Sequence, residues 1–260
     1  MEFESIHGEQ IPKIGFGTWN LNGEECVRAV GSAFELGYRH IDTAEMYTNE
    51  QQVGEAIKSS GLERGEIFLA TKVLSSNLRQ NAILEACDRS LRKLKLDFID
   101  LYLIHSPNSR VPIEETMQAL NTLVEQGKVR MIGVSNFSIQ QQAAAQANSD
   151  AKLLTNQVIF HSQYPQRELL KYCRENDVMI TSYSPLARGR LAMHKGLQAI
   201  GDRYGKNAAQ IALRWVVQQP QVVTIPKSSN RARQRENIEI FDFELTDEEM
   251  TEISKNSRFS

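Results

Sequence analysis

The sequence predicts an α/β chain folded as a single-domain (β/α)8 TIM barrel with a short N-terminal β-hairpin. Three observations point there. Short β-rich runs alternate with amphipathic helical stretches about eight times along the chain, which favours a closed barrel over the open, doubly wound sheet that the same alternation permits. Several runs, such as Ile99-Asp100-Leu101-Tyr102-Leu103-Ile104, are almost continuously apolar, as parallel strands covered by helices require. Polar residues recur where these runs end, and in such a barrel the carboxyl ends of the strands converge on one mouth.

In chain order, the hairpin runs from Phe3 to Ile14 with His7-Gly8-Glu9 at its tip. Strands are predicted at Ile14–Gly17, His40–Ala44, Ile67–Lys72, Phe98–His105, Val129–Val134, Leu153–Val158, Met179–Tyr183 and Val222–Pro226. Between them, Leu84, Cys87, Leu91 and Leu94 form one apolar helical stripe, and Ile113, Met117, Leu120 and Val124 another. Helix starts are marked by Asn22 with Glu25, Ser138 with Gln141 and Thr246 with Glu249, each an oxygen acceptor three residues before an acid or amide. Gly37, Gly61 and Gly127 mark helix ends. The Gln- and Ala-rich segment Gln140–Ala147 suits an exposed helix.

At 260 residues, with no linker-like segment, the chain reads as one domain over 1–260. A net charge of −2 offers no field for a polyanion, so nucleic acid is not an expected partner. Residues 1–10 lack the apolar centre of a signal peptide, and no apolar run approaches the roughly 20 residues that span a bilayer. The expectation is a cytoplasmic protein without membrane partners. Cys26, Cys87 and Cys173 fall inside predicted helices and outside any CxxC pair, which predicts buried thiols and no zinc or redox role.

Gly15-Phe16-Gly17 opens like a dinucleotide fingerprint, but Asn20 stands where the third glycine is needed. The segment Gly201–Asn207 resembles a phosphate loop but has three residues between its glycines and no hydroxyl for magnesium, so it reads as a helix–helix connection. His40 and Asp42 share a strand face, and His105 could complete an iron site of two histidines and one carboxylate. The alternative is a His40 that points outward or fills a barrel layer. His7, His161 and His194 show no metal-ligand spacing, and no metal is expected.

The strand ends carry a different constellation: Asp42 with Tyr47 just beyond it, Lys72, and His105. A carbonyl that accepts hydride develops negative charge on oxygen and needs a proton or strong hydrogen bond there. Tyrosine, with an ordinary pKa near 10, becomes a better acid beside an ammonium, which favours the phenolate. Lys72 can supply that charge, Asp42 can hold Lys72, and His105 can orient the carbonyl. Taken singly, each residue has a structural alternative: an Asp42–Lys72 ion pair, a surface Tyr47, a satisfied strand-end His105.

The stretch Gly37-Tyr38-Arg39-His40-Ile41-Asp42-Thr43-Ala44, followed by Tyr47, Glu50 and Val53-Gly54, resembles the first signature of the aldo-keto reductases. Ile225-Pro226-Lys227-Ser228, with Arg233 and Glu236-Asn237 beyond, is similar to their C-terminal signature. Ala70-Thr71-Lys72, Leu103-Ile104-His105, Gly133-Val134-Ser135-Asn136-Phe137 and Thr155-Asn156-Gln157 resemble the motifs between, in the family's order, so the likeness runs from Ile14 to about Ile253. It implies a barrel that reduces aldehydes and ketones with NADP(H), without metal, as a monomer. By position, Tyr47 would be the general acid tuned by Lys72 and Asp42, and His105 would orient the substrate. The family pattern would put Gly17, Thr18 and Asp42 beside the cofactor. Ser135, Asn136 and Gln157 would hold the carboxamide, Tyr183 would stack on the nicotinamide, and Ser184 and Leu186 would follow the pyrophosphate.

The C-terminal signature has its own physical reading. Lys227, Ser228 and Arg233 gather two cations and a hydroxyl at a strand end and helix start, a cradle for the adenosine 2′-phosphate and hence a preference for NADP(H). Glu236 and Asn237 would meet the adenine, while Arg231 and Arg235 read as a solvated helix face.

Departures bear on the substrate. Ser106 follows His105 where many relatives carry Trp, and Ile159-Phe160-His161-Ser162 replaces the usual Glu-Tyr-His-Pro. The sequence ends at Ser260, which predicts an open mouth, lined by Trp19, Tyr47 and Phe137 with His105, for small aldehydes, α-dicarbonyls or sugar-derived ketones. The likeness is strongest to short prokaryotic members such as the 2,5-diketogluconate reductases. A cofactor-sensing binding role, as in the family's channel-associated β subunits, is not excluded by Tyr47, Lys72 and His105 and stays open on sequence alone. The histidine at position 105 argues against the steroid double-bond reductases, which carry glutamate there.

Overall fold

In the computed structural model, which describes residues 1–255, the hairpin comes first. Ser260, on which the expectation of an open mouth rests, lies outside them. Strands β1 (Phe3–Ile6) and β2 (Glu9–Pro12) pair antiparallel from Phe3↔Pro12 to Ile6↔Glu9. The turn is therefore His7-Gly8 alone, both with positive φ (51° and 83°), and Glu9 already belongs to the second strand. Ile6 and Ile11 pack with Phe68, Leu101, Leu154 and Met179, so the hairpin plugs the end of the barrel at which the strands begin.

Eight parallel strands follow: β3 (Phe16–Gly17), β4 (His40–Asp42), β5 (Phe68–Val73), β6 (Ile99–Ile104), β7 (Val129–Ser135), β8 (Leu153–Ile159), β9 (Met179–Tyr183) and β10 (Val222–Thr224). Each pairs with its sequence neighbour, and a parallel bridge between Ile14 and Thr224 closes the sheet on itself. The predicted (β/α)8 barrel is present. Strands β4 and β10 stop two residues earlier than predicted because Thr43-Ala44 and Ile225-Pro226 already turn into the mouth. Gly17 is needed at the closure: a Cβ there would stand 2.7 Å from the carbonyl oxygen of Ile225, while its own N–H donates to Pro226 O at 3.1 Å.

Helices α1 (Gly23–Glu35), α2 (Glu50–Ser59), α3 (Gln80–Leu94), α4 (Ile113–Glu125), α5 (Ile139–Ala147), α6 (Arg167–Glu175), α7 (Lys195–Gly201), α8 (Ala208–Val217), α9 (Arg231–Ile238) and α10 (Asp247–Lys255) surround the sheet. Ser138 with Gln141 and Thr246 with Glu249 form the expected reciprocal caps. Asn22 does not cap with its side chain, because Gly23 enters α1 at φ +52° and redirects the chain. The core face of α3 is Ile83, Ala86, Cys87, Ser90, Leu91 and Leu94, with Leu84 at its edge, a rotation of the predicted stripe by about one position. Gly201–Asn207 connects α7 and α8, as expected, and Asn207 caps α8. Gly54 on α2 sits where a Cβ would fall 2.2 Å from the Leu94 carbonyl oxygen, which explains a glycine inside a helix.

All three cysteines are buried in helices. Burial pushes the Cys26 and Cys87 thiols up to about 12 and Cys173 to about 11, so they behave as small apolar groups.

Candidate active site

Strand alternation decides which side chains enter the barrel. Phe68 and Ala70 on β5, and Leu101 and Leu103 on β6, face inward, so Lys72 and His105 continue the same faces at the mouth. On β4, His40 and Asp42 share one face. His40 fills a layer near the closed end: it is buried, edge-on to Phe68, and neither imidazole nitrogen has a hydrogen-bond partner. Asp42 stands a layer higher, beside the mouth. Among the described residues no group of three His, Cys, Asp or Glu side chains is placed to hold a metal ion.

Lys72, fully buried, donates to Asp42 Oδ1 at 2.6 Å and to Thr43 O at 2.8 Å. The other carboxylate oxygen of Asp42 accepts from Gln157 Nε2 at 2.7 Å. Tyr47 closes a one-turn 3₁₀ segment, Glu45–Tyr47, that carries its ring over the barrel end. The Lys72 ammonium lies 5.1 Å from the centroid of that ring. The His105 ring meets the same phenol edge-on, with centroids 5.7 Å apart. The four predicted residues therefore converge.

Electrostatics refine their roles. Burial would lower the Lys72 pKa, but Asp42 and Tyr47 outweigh it and hold the ammonium charged. Burial raises the Tyr47 pKa and Lys72 only partly offsets this, so the resting phenol is a weaker acid than free tyrosine. The expected acidification is thus not a property of the resting site. The charge of Lys72 favours the phenolate form of Tyr47, without outweighing burial. Burial, then Lys72, lowers His105 to about 4, so its ring is neutral at physiological pH.

Burial likewise lowers His40 to about 4. Both folded-state values lie below the ordinary 6.5, so the unfolded chain binds more protons in between, and stability present above about pH 6.5 is lost as pH falls towards 4. Urea midpoints should drop from pH 7 to pH 4.5, and His40→Gln should flatten that dependence. An unchanged slope in the variant would remove His40 as a cause.

Around the four lie further predicted residues. Ser135 Oγ donates to Gln157 O at 2.8 Å, Asn136 Nδ2 to His105 O at 3.2 Å, and Tyr183 Oη to Asn136 Oδ1 at 2.9 Å. Thr18 is fully buried and bonds Asp42 O, so its side chain is spent on the scaffold. Ser184, at φ +51°, and Leu186 line the loop after β9. Lys227, Ser228 and Arg233 collect at the start of α9, where Asn230 Oδ1 accepts from Arg233 N at 3.1 Å. Glu236 accepts from Asn207 Nδ2, and Asn237 is buried. Arg231 lies on the exposed face of α9, as expected, and there pairs with Glu35 at 2.5 Å and bonds Ser32, tying α9 to α1.

Trp19 is 51% exposed beside the mouth, whereas Phe137 is 4% exposed and packs into the core between sheet and helices. Its backbone N–H and carbonyl are clamped by Asn156, which turns the ring inward, so Phe137 does not line the mouth. Ser75 and Ser106 meet at 2.6 Å beside His105. Asn49, missed from sequence, is fully buried and bonds Thr18 O, Leu21 O and Thr43 Oγ1, bracing the two loops on either side of Tyr47. Its only signal is an asparagine directly after the left-handed Thr48. A surface cavity of about 900 Å³ between α1, α2 and Ser229–Arg231 contains none of the titration-shifted groups, so the chemistry belongs to the mouth.

Residues 13–258 match the aldo/keto reductase family. The chain belongs to that family. It is thus an oxidoreductase that reduces carbonyl groups to alcohols. It is 41% identical over 248 residues to a glyoxal reductase of Bacillus subtilis (strain 168), covering 95% of this chain and 89% of the relative. To methylglyoxal reductase DkgA of Yersinia pestis it is 38% identical over 251 residues, covering 95% and 90%. A solved structure assigned as 2,5-diketo-D-gluconic acid reductase B superposes with a TM-score of 0.96 at 46% identity, covering 98% and 90%.

Proposed function

We propose that this reductase uses NADPH to reduce small aldehydes and α-dicarbonyls, with Tyr47 as proton donor. The observation that carries the reading is the buried Asp42–Lys72 pair standing against the Tyr47 phenol with His105 on its edge. When bound, the nicotinamide supplies hydride to the carbonyl carbon. Tyr47 then gives its proton to the nascent alkoxide, and Lys72 stabilises the phenolate that remains. Neutral His105 donates to the carbonyl oxygen and fixes its direction. Asp42 positions Lys72 and, through Gln157, ties β4 to β8 across the barrel mouth.

The residues present fit the cofactor. Asp42 uses one N–H of Gln157 and leaves its carbonyl available, with Ser135 and Asn136, for a carboxamide. The Tyr183 ring offers a stacking face beside it, and the Gly17, Ser184 and Leu186 loops follow. Lys227 and Arg233 have no carboxylate partner among the described residues, which suits a 2′-phosphate; Ser228, Glu236 and Asn237 complete that end. Glyoxal and methylglyoxal reductases among the relatives support dicarbonyl substrates. The reading extends to a monomeric cytoplasmic enzyme, one barrel over 1–260; no helix of the described residues is long and apolar enough to cross a membrane.

Purified protein with NADPH and methylglyoxal, nitrobenzaldehyde or a diketogluconate should lose nicotinamide absorbance; complete inactivity would refute the assignment. Arg233→Ala should weaken NADPH binding by roughly 1.5–3 kcal/mol, the worth of a charged hydrogen bond, and barely change NADH. Equal losses for both cofactors, by fluorescence titration, would remove Arg233 from the phosphate site.

A further inference from the structure

We propose that the cleft between the ends of β8 and β9 is a subsite for an anionic group carried by the substrate, so that the preferred carbonyl compounds bear a carboxylate or phosphate. The proposal rests on the carbonyl-reductase reading above. The cleft, about 420 Å³, is lined by Ile159, His161, Gln163, Tyr164 and Arg190. Strand register fixes its place: Ile159 at the end of β8 lies beside Tyr183 of β9. Tyr183 donates from Oη to Asn136 Oδ1 at 2.9 Å, and Asn136 Nδ2 reaches His105 O at 3.2 Å, so the cleft opens beside the mouth that holds His105 and Tyr47.

The lining is cationic and largely unspent. Arg190 makes one weak bond, from Nε to Ala187 O at 3.4 Å, and no carboxylate pairs with it or with Arg188 among the described residues. Arg64, Arg130 and Arg214, by contrast, are each tied to acids. His161 is 6% exposed with Nδ1 unpartnered, and the Ser162 hydroxyl beside it is buried and unpartnered too. A buried polar group without a partner is costly, and a planar guanidinium next to it is suited to a carboxylate or phosphate oxygen. Burial and Arg190 both disfavour the charged form of His161, which leaves Arg190 as the cation of the cleft. The cofactor's pyrophosphate, expected along Ser184 and Leu186, is the other possible source of such oxygens.

Two aldehydes of equal length separate these sources: succinic semialdehyde, which ends in a carboxylate, and butanal, which does not. The wild-type enzyme at saturating NADPH should favour succinic semialdehyde in kcat/KM by about tenfold or more, as expected for a hydrogen bond to a charged group. Arg190→Ala should lower that ratio at least tenfold through KM, and Arg190→Lys should restore part of it. A ratio unmoved by Arg190→Ala would overturn the subsite, and a rise in the NADPH Kd in its place would assign the guanidinium to the cofactor. Turnover of both aldehydes without discrimination would sink the subsite alone. Turnover of neither would sink the carbonyl-reductase reading and the subsite with it.

Discussion

Tyr47→Phe should lower kcat for carbonyl reduction by about 10²–10⁴-fold, the usual worth of a positioned proton donor, while NADPH still binds. The substitution removes one oxygen and leaves the ring that packs edge-on against His105, so the fold should tolerate it. Lys72 cannot take over: its ammonium is held charged by Asp42, and it donates to Asp42 Oδ1 and Thr43 O. Single-turnover measurements on pre-bound NADPH isolate the chemical step. Undiminished turnover in the variant would mean that the proton comes from elsewhere.

The second large effect concerns the pair beneath the phenol. Asp42→Asn should destabilise the protein by about 3–5 kcal/mol, because it strands a buried ammonium without its counter-charge. It should also depress turnover, since an ammonium pushed towards neutrality no longer stabilises phenolate. The double variant Asp42→Asn with Lys72→Met should recover much of the stability and none of the activity. Urea denaturation read beside kcat separates the two consequences. A single variant as stable as wild type would show that water or a neighbouring group compensates the charge.

The barrel strands were legible because most of their residues are buried on both faces, which leaves short runs that are largely apolar. The strand ends are where Asp42, Lys72 and His105 stand, so the candidate site could be read from the positions at which these runs stop. Phe137 was misplaced because a sequence motif says where a residue lies along the chain but not which way its ring turns; the clamp by Asn156 decides that, from another strand. The Asn22 cap failed for a local reason, the left-handed entry at Gly23. The net direction of the Tyr47 pKa depends on how burial weighs against Lys72, a balance of three-dimensional quantities. The sequence already separated Arg231 from Arg233, but the ion pair of Arg231 with Glu35 depends on α1, which no local pattern shows.

The bridge from Ile14 to Thr224 joins residues from nearly opposite ends of the chain. On the ribosome the first barrel strand must therefore wait for its partner until synthesis has passed Thr224. During that wait the nascent sheet is an open curl with a free margin at β3. That margin is a two-residue strand, too short a template for other chains to extend. Sealing depends on a contact of very high sequence separation, which makes it an intrinsically slow event of assembly.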